Sequence, residues 1–170
     1  MSTPTIRRAQ GADAEPINAI YNHYVRTSTA TFDTEEMTID RRHEWLAEHA
    51  DEFPVLVAEN EGGAVVGWGS LSRWGTRCAY RHTVEISTYV APDSTGAGLG
   101  PALVDALVAE ARHIGHHVIV SQIVHENEAS LKMAARAGFT HVGTLKEVGR
   151  KFDRWLDVVL MEYVIDEPGR

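Results

Sequence analysis

Two hydrophobic periods alternate along the chain, and their alternation predicts the order of its elements. A short strand is expected over Thr5–Ala9. Ile17, Ile20, Tyr21, Tyr24 and Val25 then fall three or four residues apart and form one stripe of an amphipathic helix. Asp13 suits the cap of that helix and Pro16 its first turn. The threonine-rich stretch Thr27–Thr34 breaks the stripe and is expected to be a loop carrying Phe32. A second helix, capped by Thr38 or Asp40 and closed by Pro54, is expected to bury Trp45 and Leu46. Val55–Glu59 and Ala64–Leu71 flank Asn60-Glu61-Gly62-Gly63, a hairpin signal. Thr83–Val90 is a further strand, and Pro92–Gly98 a loop. Leu99–Ile114 is strongly amphipathic and stops at Gly115, which suits the left-handed position after a helix. Val118–Val124 is a β-branched run, hence a buried strand. A short helix over Asn127–Ala137 stops at Gly138. Strands at about Thr140–Val148 and Trp155–Ile165 follow, joined by a basic loop. Only Glu167–Arg170 has the composition of a frayed tail.

The predicted order is β-α-α-β-β-β-α-β-α-β-β. That is an α/β (α+β) chain with a mixed sheet flanked by helices. No repeat, linker or low-complexity segment interrupts it, so residues 1–170 are expected to form a single domain.

Charge changes the picture more than the rest of the composition does. Lys plus Arg number 16 and Asp plus Glu 24, a net charge of −8. A broad basic face for nucleic acid or for an anionic membrane is therefore not expected. One small anionic ligand at a local site is compatible with it. A hydrophobic fraction of 44% over 170 residues suffices for a core without disulfide or metal staples. Cys78 is the one cysteine and is expected to be a small apolar residue of a strand or loop rather than a nucleophile. Met1–Gln10 lacks the apolar stretch of a signal peptide, and no apolar run of about 18 residues exists, so a cytoplasmic location is expected. Of the nine histidines, His113, His116 and His117 invite a metal reading. Gly115 separates them from a shared helical face and HExxH is missing, so exposed histidines and no metal are expected. The Trp and Met positions are expected to be core.

The most informative stretch is Thr88-Tyr89-Val90-Ala91-Pro92-Asp93-Ser94-Thr95-Gly96-Ala97-Gly98-Leu99-Gly100-Pro101-Ala102. A strand feeds a glycine-rich turn that opens directly onto a long helix. Glycines let backbone N–H groups approach a ligand, and the helix N-terminus adds unpaired donors and a positive dipole end. No Gly-Lys-Ser/Thr follows, and the spacing is not G-x-G-x-x-G, so neither a Walker loop nor a Rossmann fingerprint is present.

This arrangement resembles motif A of the GNAT (N-acetyltransferase) superfamily, Q/R-x-x-G-x-G/A, with Thr95-Gly96-Ala97-Gly98-Leu99-Gly100 in its place. Asn127-Glu128-Ala129-Ser130 followed by Ala137-Gly138-Phe139 is similar to a second element of the family. Ile20-Tyr21-Asn22-x-Tyr24-Val25, Thr29-Ala30-Thr31-Phe32, Thr83-Val84-Glu85, Tyr89-Val90 and Gly149-x-Lys151-Phe152-x-x-Trp155-x-Asp157 resemble the phosphinothricin and methionine sulfoximine acetyltransferase branch. The likeness runs from Ile6 to about Val164.

The resemblance implies a GNAT fold, acetyl-CoA as cosubstrate, and acetylation of a small amino acid or analogue such as phosphinothricin, methionine sulfoximine or methionine sulfone. It also implies a homodimer. It places cofactor contacts at Thr88, Tyr89, Val90, Gly96, Ala97, Gly98, Leu99, Gly100, Pro101, Asn127 and Ser130. Glu85 becomes the general base, acting through water, and the Val90 N–H the oxyanion donor. Phe32, Trp74, Arg77, Glu85 and Ser87 become the substrate residues, with Tyr80 a further wall. Lys151 and Trp155 fall near the hairpin that meets a second subunit in relatives.

The sequence departs from the pattern at four places. Thr95 and Gly96 stand where motif A has basic or amide side chains, Ala134 where many relatives place a Tyr or His, and Gly75 where the branch often has a basic residue. A weak or salt-insensitive cofactor affinity is therefore expected, with Lys132 or Arg136 the nearest cations. Another amine or a protein N-terminus as acceptor, and an acyl-CoA-binding module without turnover, are the rival readings.

Overall fold

The computed structural model describes residues 4–49 and 51–165; the predicted tail at Glu167–Arg170 lies outside them. Seven strands and four helices follow one another as β1 (Thr5–Arg8), α1 (Ala14–Thr27), α2 (Ile39–Glu48), β2 (Val55–Glu59), β3 (Val65–Arg73), β4 (Thr83–Val90), α3 (Leu99–Ile114), β5 (Val118–Val124), α4 (Glu128–Arg136), β6 (Thr140–Lys151) and β7 (Arg154–Val164). This is the predicted order. The strands form one sheet, β1-β2-β3-β4-β5-β7-β6, antiparallel throughout except where β4 pairs with β5.

Helices cover both faces. Leu99, Leu103 and Leu107 of α3 pack with Leu71, Val84 and Ile86 on one side. Ile17 and Ile20 of α1 pack with Val55, Val57 and Trp68 on the other. Burial on both faces explains why β2 is apolar at consecutive rather than alternate positions. In β4 the alternation of side chains sends Val84 and Ile86 toward α3, and Glu85, Ser87 and Tyr89 toward α1. No helix among the described residues is long and apolar enough to cross a membrane.

Several local expectations are corrected. Asp13 does not cap α1 with its side chain. Its carboxylate instead accepts the Gln10 N–H at 2.7 Å and receives both terminal nitrogens of Arg7, at 2.7 and 3.0 Å. Arg7 also reaches Glu59, and this cation holds the Asp13 carboxyl below its usual range. Thr38, not Asp40, caps α2. The fully buried residue of α2 is Arg42, 1% exposed, while Trp45 and Leu46 are half-buried. The Arg42 guanidinium lies 4.8, 4.6 and 5.5 Å from the ring centres of Tyr21, Trp45 and Trp68, whose π faces stand in for water.

His116 is buried rather than exposed. Its Nε2 lies 2.7 Å from the Glu52 carbonyl oxygen and its ring stacks on Phe53. Cys78 is exposed in a short 3-10 turn. The predicted basic loop near residue 150 is a continuation of β6 and β7, closed by Phe152 and Asp153, both at positive φ. Such a two-residue turn matches the twist of the hairpin. Trp155 there is 62% exposed, not core.

Replacing Asp13 with Ala should lower unfolding stability by about 1.5–3 kcal/mol, the range for hydrogen bonds to charged groups. The lowered carboxyl value gives the contribution its sign. It is complete above the unfolded carboxyl range and is lost as pH falls through the folded value. Urea titrations of both proteins should therefore converge in acid.

Candidate active site

Parallel pairing of β4 and β5 is confined to Thr83↔Val118, Val84↔Ile119 and Glu85↔Val120. Past Glu85 the two strands separate. The Ala91 N–H donates to Val66 of β3 at 2.8 Å, so strand alternation turns the N–H groups of Val90 and Thr88 to the opposite edge, into the gap. The Val90 carbonyl points the same way and accepts the Tyr24 hydroxyl at 2.6 Å.

A groove of about 1080 Å³ continues from this gap over the start of α3. Gly96 and Gly98 sit at φ +81° and +78°, the left-handed region that glycine tolerates and most residues avoid. Gly98 is the N-cap and offers no capping side chain, so the first-turn N–H groups of α3 are left for another partner. Gly100 meets a different constraint, since a Cβ there would lie 2.9 Å from Met133 Sδ of α4. Thr88, Tyr89, Val90, Gly96, Gly98, Leu99, Gly100, Pro101, Asn127 and Ser130 all line the groove, and Ala97 does not. Asn127 caps α4 by accepting the Ser130 N–H at 3.1 Å.

Two cations enter this groove from α4. Lys132 is exposed and paired with Glu128 at 3.0 Å; Arg136 carries no ion pair among the described residues. The glycine loop has no cation of its own, but the groove it belongs to does. An extended anion fits this combination of oriented amides, small residues and an exposed guanidinium.

A second cavity of about 260 Å³ adjoins the groove, sharing Thr29, Ala30 and Tyr89 with it. Glu85, Ser87 and Phe32 line it, together with Gln122, Val148 and Val158. Glu85 is half-buried and accepts one hydrogen bond, from Gln122 Nε2 at 3.0 Å. Burial raises its pKa above the usual carboxylate value, and the Gln122 bond offsets part of that rise. Burial also pushes the Tyr89 phenol up to about 12, so it is a neutral donor at physiological pH. Glu85 is the one charged side chain lining this cavity.

Trp74 and Arg77 line neither cavity. Trp74 is partly buried and Arg77 exposed, beyond the end of β3. Tyr80 likewise stands apart from Phe32, with its ring over Gly75. A Cβ at Gly75 would meet Tyr80 Cδ2 at 2.8 Å, which explains why no larger side chain follows Trp74. Ala134 is buried in the core against α3 and offers no acid. Two contributors lacked a distinctive signal. Tyr24 is part of an ordinary apolar stripe. Gln122 had one weak sign, an amide within the apolar run Val118–Val124.

The sequence model of the family described as acetyltransferase (GNAT) domain matches residues 6–160. The chain belongs to the GNAT acetyltransferase family. Within this family it is 42% identical over 164 residues to a protein of Escherichia coli K12 named L-amino acid N-acyltransferase MnaT, covering 96% of this chain and 95% of that one. A methionine sulfoximine/methionine sulfone acetyltransferase of Salmonella typhimurium is 41% identical with the same coverage. A GNAT superfamily phosphinothricin acetyltransferase from Sinorhizobium meliloti, solved in complex with acetyl-CoA, superposes with a TM-score of 0.95 at 31% identity, over 99% of this chain and 91% of that one. The GNAT fold, the N-acetyltransferase class and the branch resemblance drawn from the motifs are thereby borne out.

The raised pKa of Glu85 has a consequence for folding. A carboxyl raised in the folded state opposes folding above its folded value, and the penalty vanishes below its unfolded value. Glu85→Gln should therefore melt at or above the wild-type temperature at pH 8. The two melting curves should approach each other as the buffer is taken to pH 4. A variant less stable at pH 8 than at pH 4, relative to wild type, would contradict this.

Proposed function

We propose that this GNAT protein transfers the acetyl group of acetyl-CoA to the amino group of a small amino acid or analogue of the methionine sulfoximine, methionine sulfone or phosphinothricin type. It does so as a homodimer in the cytoplasm. The observation that carries the reading is a carboxylate of raised pKa, Glu85, in a cavity that opens onto the anion-suited groove. The relatives' activities support it. The dimer reading rests on β6, an edge strand with Val142, Leu145 and Val148 exposed, and on Phe152 and Trp155 exposed at the hairpin end.

The residues of the groove fit acetyl-CoA. The left-handed glycines and the first turn of α3 receive the pyrophosphate, and Arg136 adds a charge-assisted contact. Bound acetyl-CoA supplies a thioester carbonyl open to attack by an amine.

The acceptor enters the second cavity as an ammonium and must lose a proton before it can attack. Glu85 takes that proton, and the pKa raised by burial makes it a stronger base than an exposed carboxylate. Five residues of strand separate Glu85 from Val90, about 17 Å, which a glutamate side chain cannot span. Water in the cavity therefore relays the proton. The outward N–H groups of Val90 and Thr88 receive the charge that develops on the carbonyl oxygen. Thr88 is the nearer to Glu85, at about 10 Å along the strand. As the C–S bond breaks, the nitrogen loses its second proton to solvent, and with Ala134 unable to donate one the departing thiolate takes up a proton from solvent in turn.

One observation favours a second reading of the acceptor. Among the described residues no arginine or lysine lines the acceptor cavity, so they offer no cation to an α-carboxylate there. An amine without that carboxylate, or a protein N-terminus, is the alternative.

Thiol release from acetyl-CoA with a panel of phosphinothricin, methionine sulfoximine, methionine sulfone, polyamines and N-terminal peptides decides between them. The amino acid analogues should turn over fastest; release with none of the amines would rule out the enzyme. Glu85→Gln should lower kcat by roughly a hundredfold or more, as loss of a general base does, and leave acetyl-CoA affinity unchanged. Arg136→Met should raise the acetyl-CoA Kd by roughly tenfold, the worth of one charge-assisted hydrogen bond. It should also flatten the dependence of that Kd on salt, measured by titration calorimetry.

A further inference from the structure

The segment between α1 and α2 forms the wall between the two cavities. Thr29 and Ala30 line both, and Phe32 lines the acceptor side. This wall is held locally by Tyr21, whose hydroxyl meets Thr31 Oγ1 at 2.8 Å and Asp33 at 2.5 Å. It is also held from the far end of the chain. Lys151, at the end of β6, donates its ammonium to the Thr31 carbonyl oxygen at 2.8 Å.

Lys151 is only 4% exposed. It forms no ion pair among the described residues, and burial lowers its pKa. The Thr31 carbonyl is its one hydrogen-bond acceptor among the described residues; the Phe152 ring, 5.2 Å away, and the charge of Asp33 offset only part of the burial, and so costly a placement of an ammonium points to a role in fixing that carbonyl. Gly149, two residues earlier, is not held at a glycine-only φ. A Cβ there would nevertheless lie 2.6 Å from Cδ2 of Phe32 and 2.9 Å from its Cζ, and nearer still to Cε2. The Phe32 ring therefore rests directly on the Gly149 backbone, and glycine is required by the ring rather than by the chain. Both contacts come from β6, a strand that carries none of the catalytic groups.

We propose that Gly149 and Lys151 are positioning residues for the acceptor: they seat Phe32 and Thr31 so that the wall stands clear of Glu85. Gly149 sets how far the ring is drawn back from the cavity, and Lys151 fixes the loop that carries it. This rests on the reading of the second cavity as the acceptor site. A methyl group at residue 149 drives the ring toward Glu85 and narrows the space for the acceptor's side chain, without touching the cofactor groove.

Steady-state kinetics with L-methionine sulfone as acceptor test this. Gly149→Ala should raise the acceptor KM by about tenfold, as overpacking at a tight contact does, with the acetyl-CoA KM unchanged. In a Phe32→Ala background the new methyl has room, so Gly149→Ala should there add no further change, a coupling read from the double-mutant cycle. Lys151→Met should also raise the acceptor KM, and should speed amide hydrogen exchange over Thr29–Asp33 while leaving α3 protected. Equal effects of Gly149→Ala with and without Phe32, or a rise shared by acetyl-CoA, would overturn the proposal. So would unchanged exchange in Lys151→Met. If the wild-type chain turned over no amine at all, the acceptor role would fall with the function proposed above. Faster exchange in Lys151→Met would then locate the failure in the function and not in the clamp.

Discussion

The parallel pairing of β4 with β5 stops after three residues, and the site exists because it stops. A strand in the middle of a sheet normally spends its backbone groups on both neighbours. From Gly67↔Val90 to Arg73↔Val84, β4 remains paired with β3 along one edge. Beyond Glu85 the other edge has no strand beside it among the described residues. Oriented N–H groups at Thr88 and Val90 are thus held rigidly by one neighbour and left unspent on the other side. An unpaired edge that opens into a groove is free to donate to a ligand, and a thioester carbonyl is a suitable partner. The parallel geometry also demands a crossover, and α3 supplies it. The connection from the end of β4 into α3 then has to turn sharply, which Gly96 and Gly98 allow, and the helix start is delivered to the same gap. The unspent amides of β4 and the open N-terminus of α3 thus arise from one topological event.

That geometry answers the question raised by the charge. A protein of net charge −8 offers no long-range attraction to a polyanionic ligand. The glycine loop, with Asp93 its only charged residue up to Pro101, offers none locally either. Affinity has to come from groups whose positive ends are fixed in place: the amides of the turn and the first turn of α3. Arg136 and Lys132 arrive from a different helix, on a separate stretch of chain. Lys132 is already engaged by Glu128 across one helical turn, in an exposed pair worth little. Arg136 is the cation with charge to spare. The division resembles a fixed cradle with one adjustable hand, in which the cradle gives orientation and the guanidinium adds strength.

What could be seen in the sequence followed the same division. Elements built from local rules were legible: the stripe of α1, the β-branched run of β5, and the glycines that open and close α3. The glycine turn pointed to the groove that it lines, and Thr83-Val84-Glu85 to a carboxylate on β4. The residues whose place was not legible share a different property, since each is placed by the tertiary arrangement rather than by its own element. Asp13 looked like a helix cap and is instead the anchor of Arg7, itself bound to Glu59. Arg42 carries no signal in the sequence, and three aromatic rings from α1, α2 and β3 enclose it. Trp155 counted as core because it is a tryptophan, whereas the edge position of its hairpin leaves it exposed. Trp74 and Arg77 looked like substrate residues from their place in the motif order; the end of β3 carries them away from Glu85. Composition and periodicity describe what a residue does within its own element, whereas Asp13 pairs with an arginine of β1 and Arg42 reaches Asn18, 24 positions away in α1.

Phe32 shows how far such distance can matter for chemistry. Its loop has no regular structure and few local contacts to hold it, yet it divides the two substrates of the proposed reaction. Catalysis by proximity requires both reactants to be confined within a few tenths of an ångström, and a loop of threonines cannot supply that by itself. The rigidity is imported. Tyr21 from α1 braces the loop on one side, while Gly149 and Lys151 from β6 brace it on the other. A third tie runs through Glu126, which accepts the Thr29 hydroxyl at 2.8 Å and is gripped by both terminal nitrogens of Arg154. The last two strands therefore do more than close the sheet. Their hairpin carries an exposed apolar surface on its outside and the contacts to the Phe32 loop on its inside. One short turn, Phe152-Asp153, links the two strands that bear both, so the Phe32 loop is only as well placed as that hairpin.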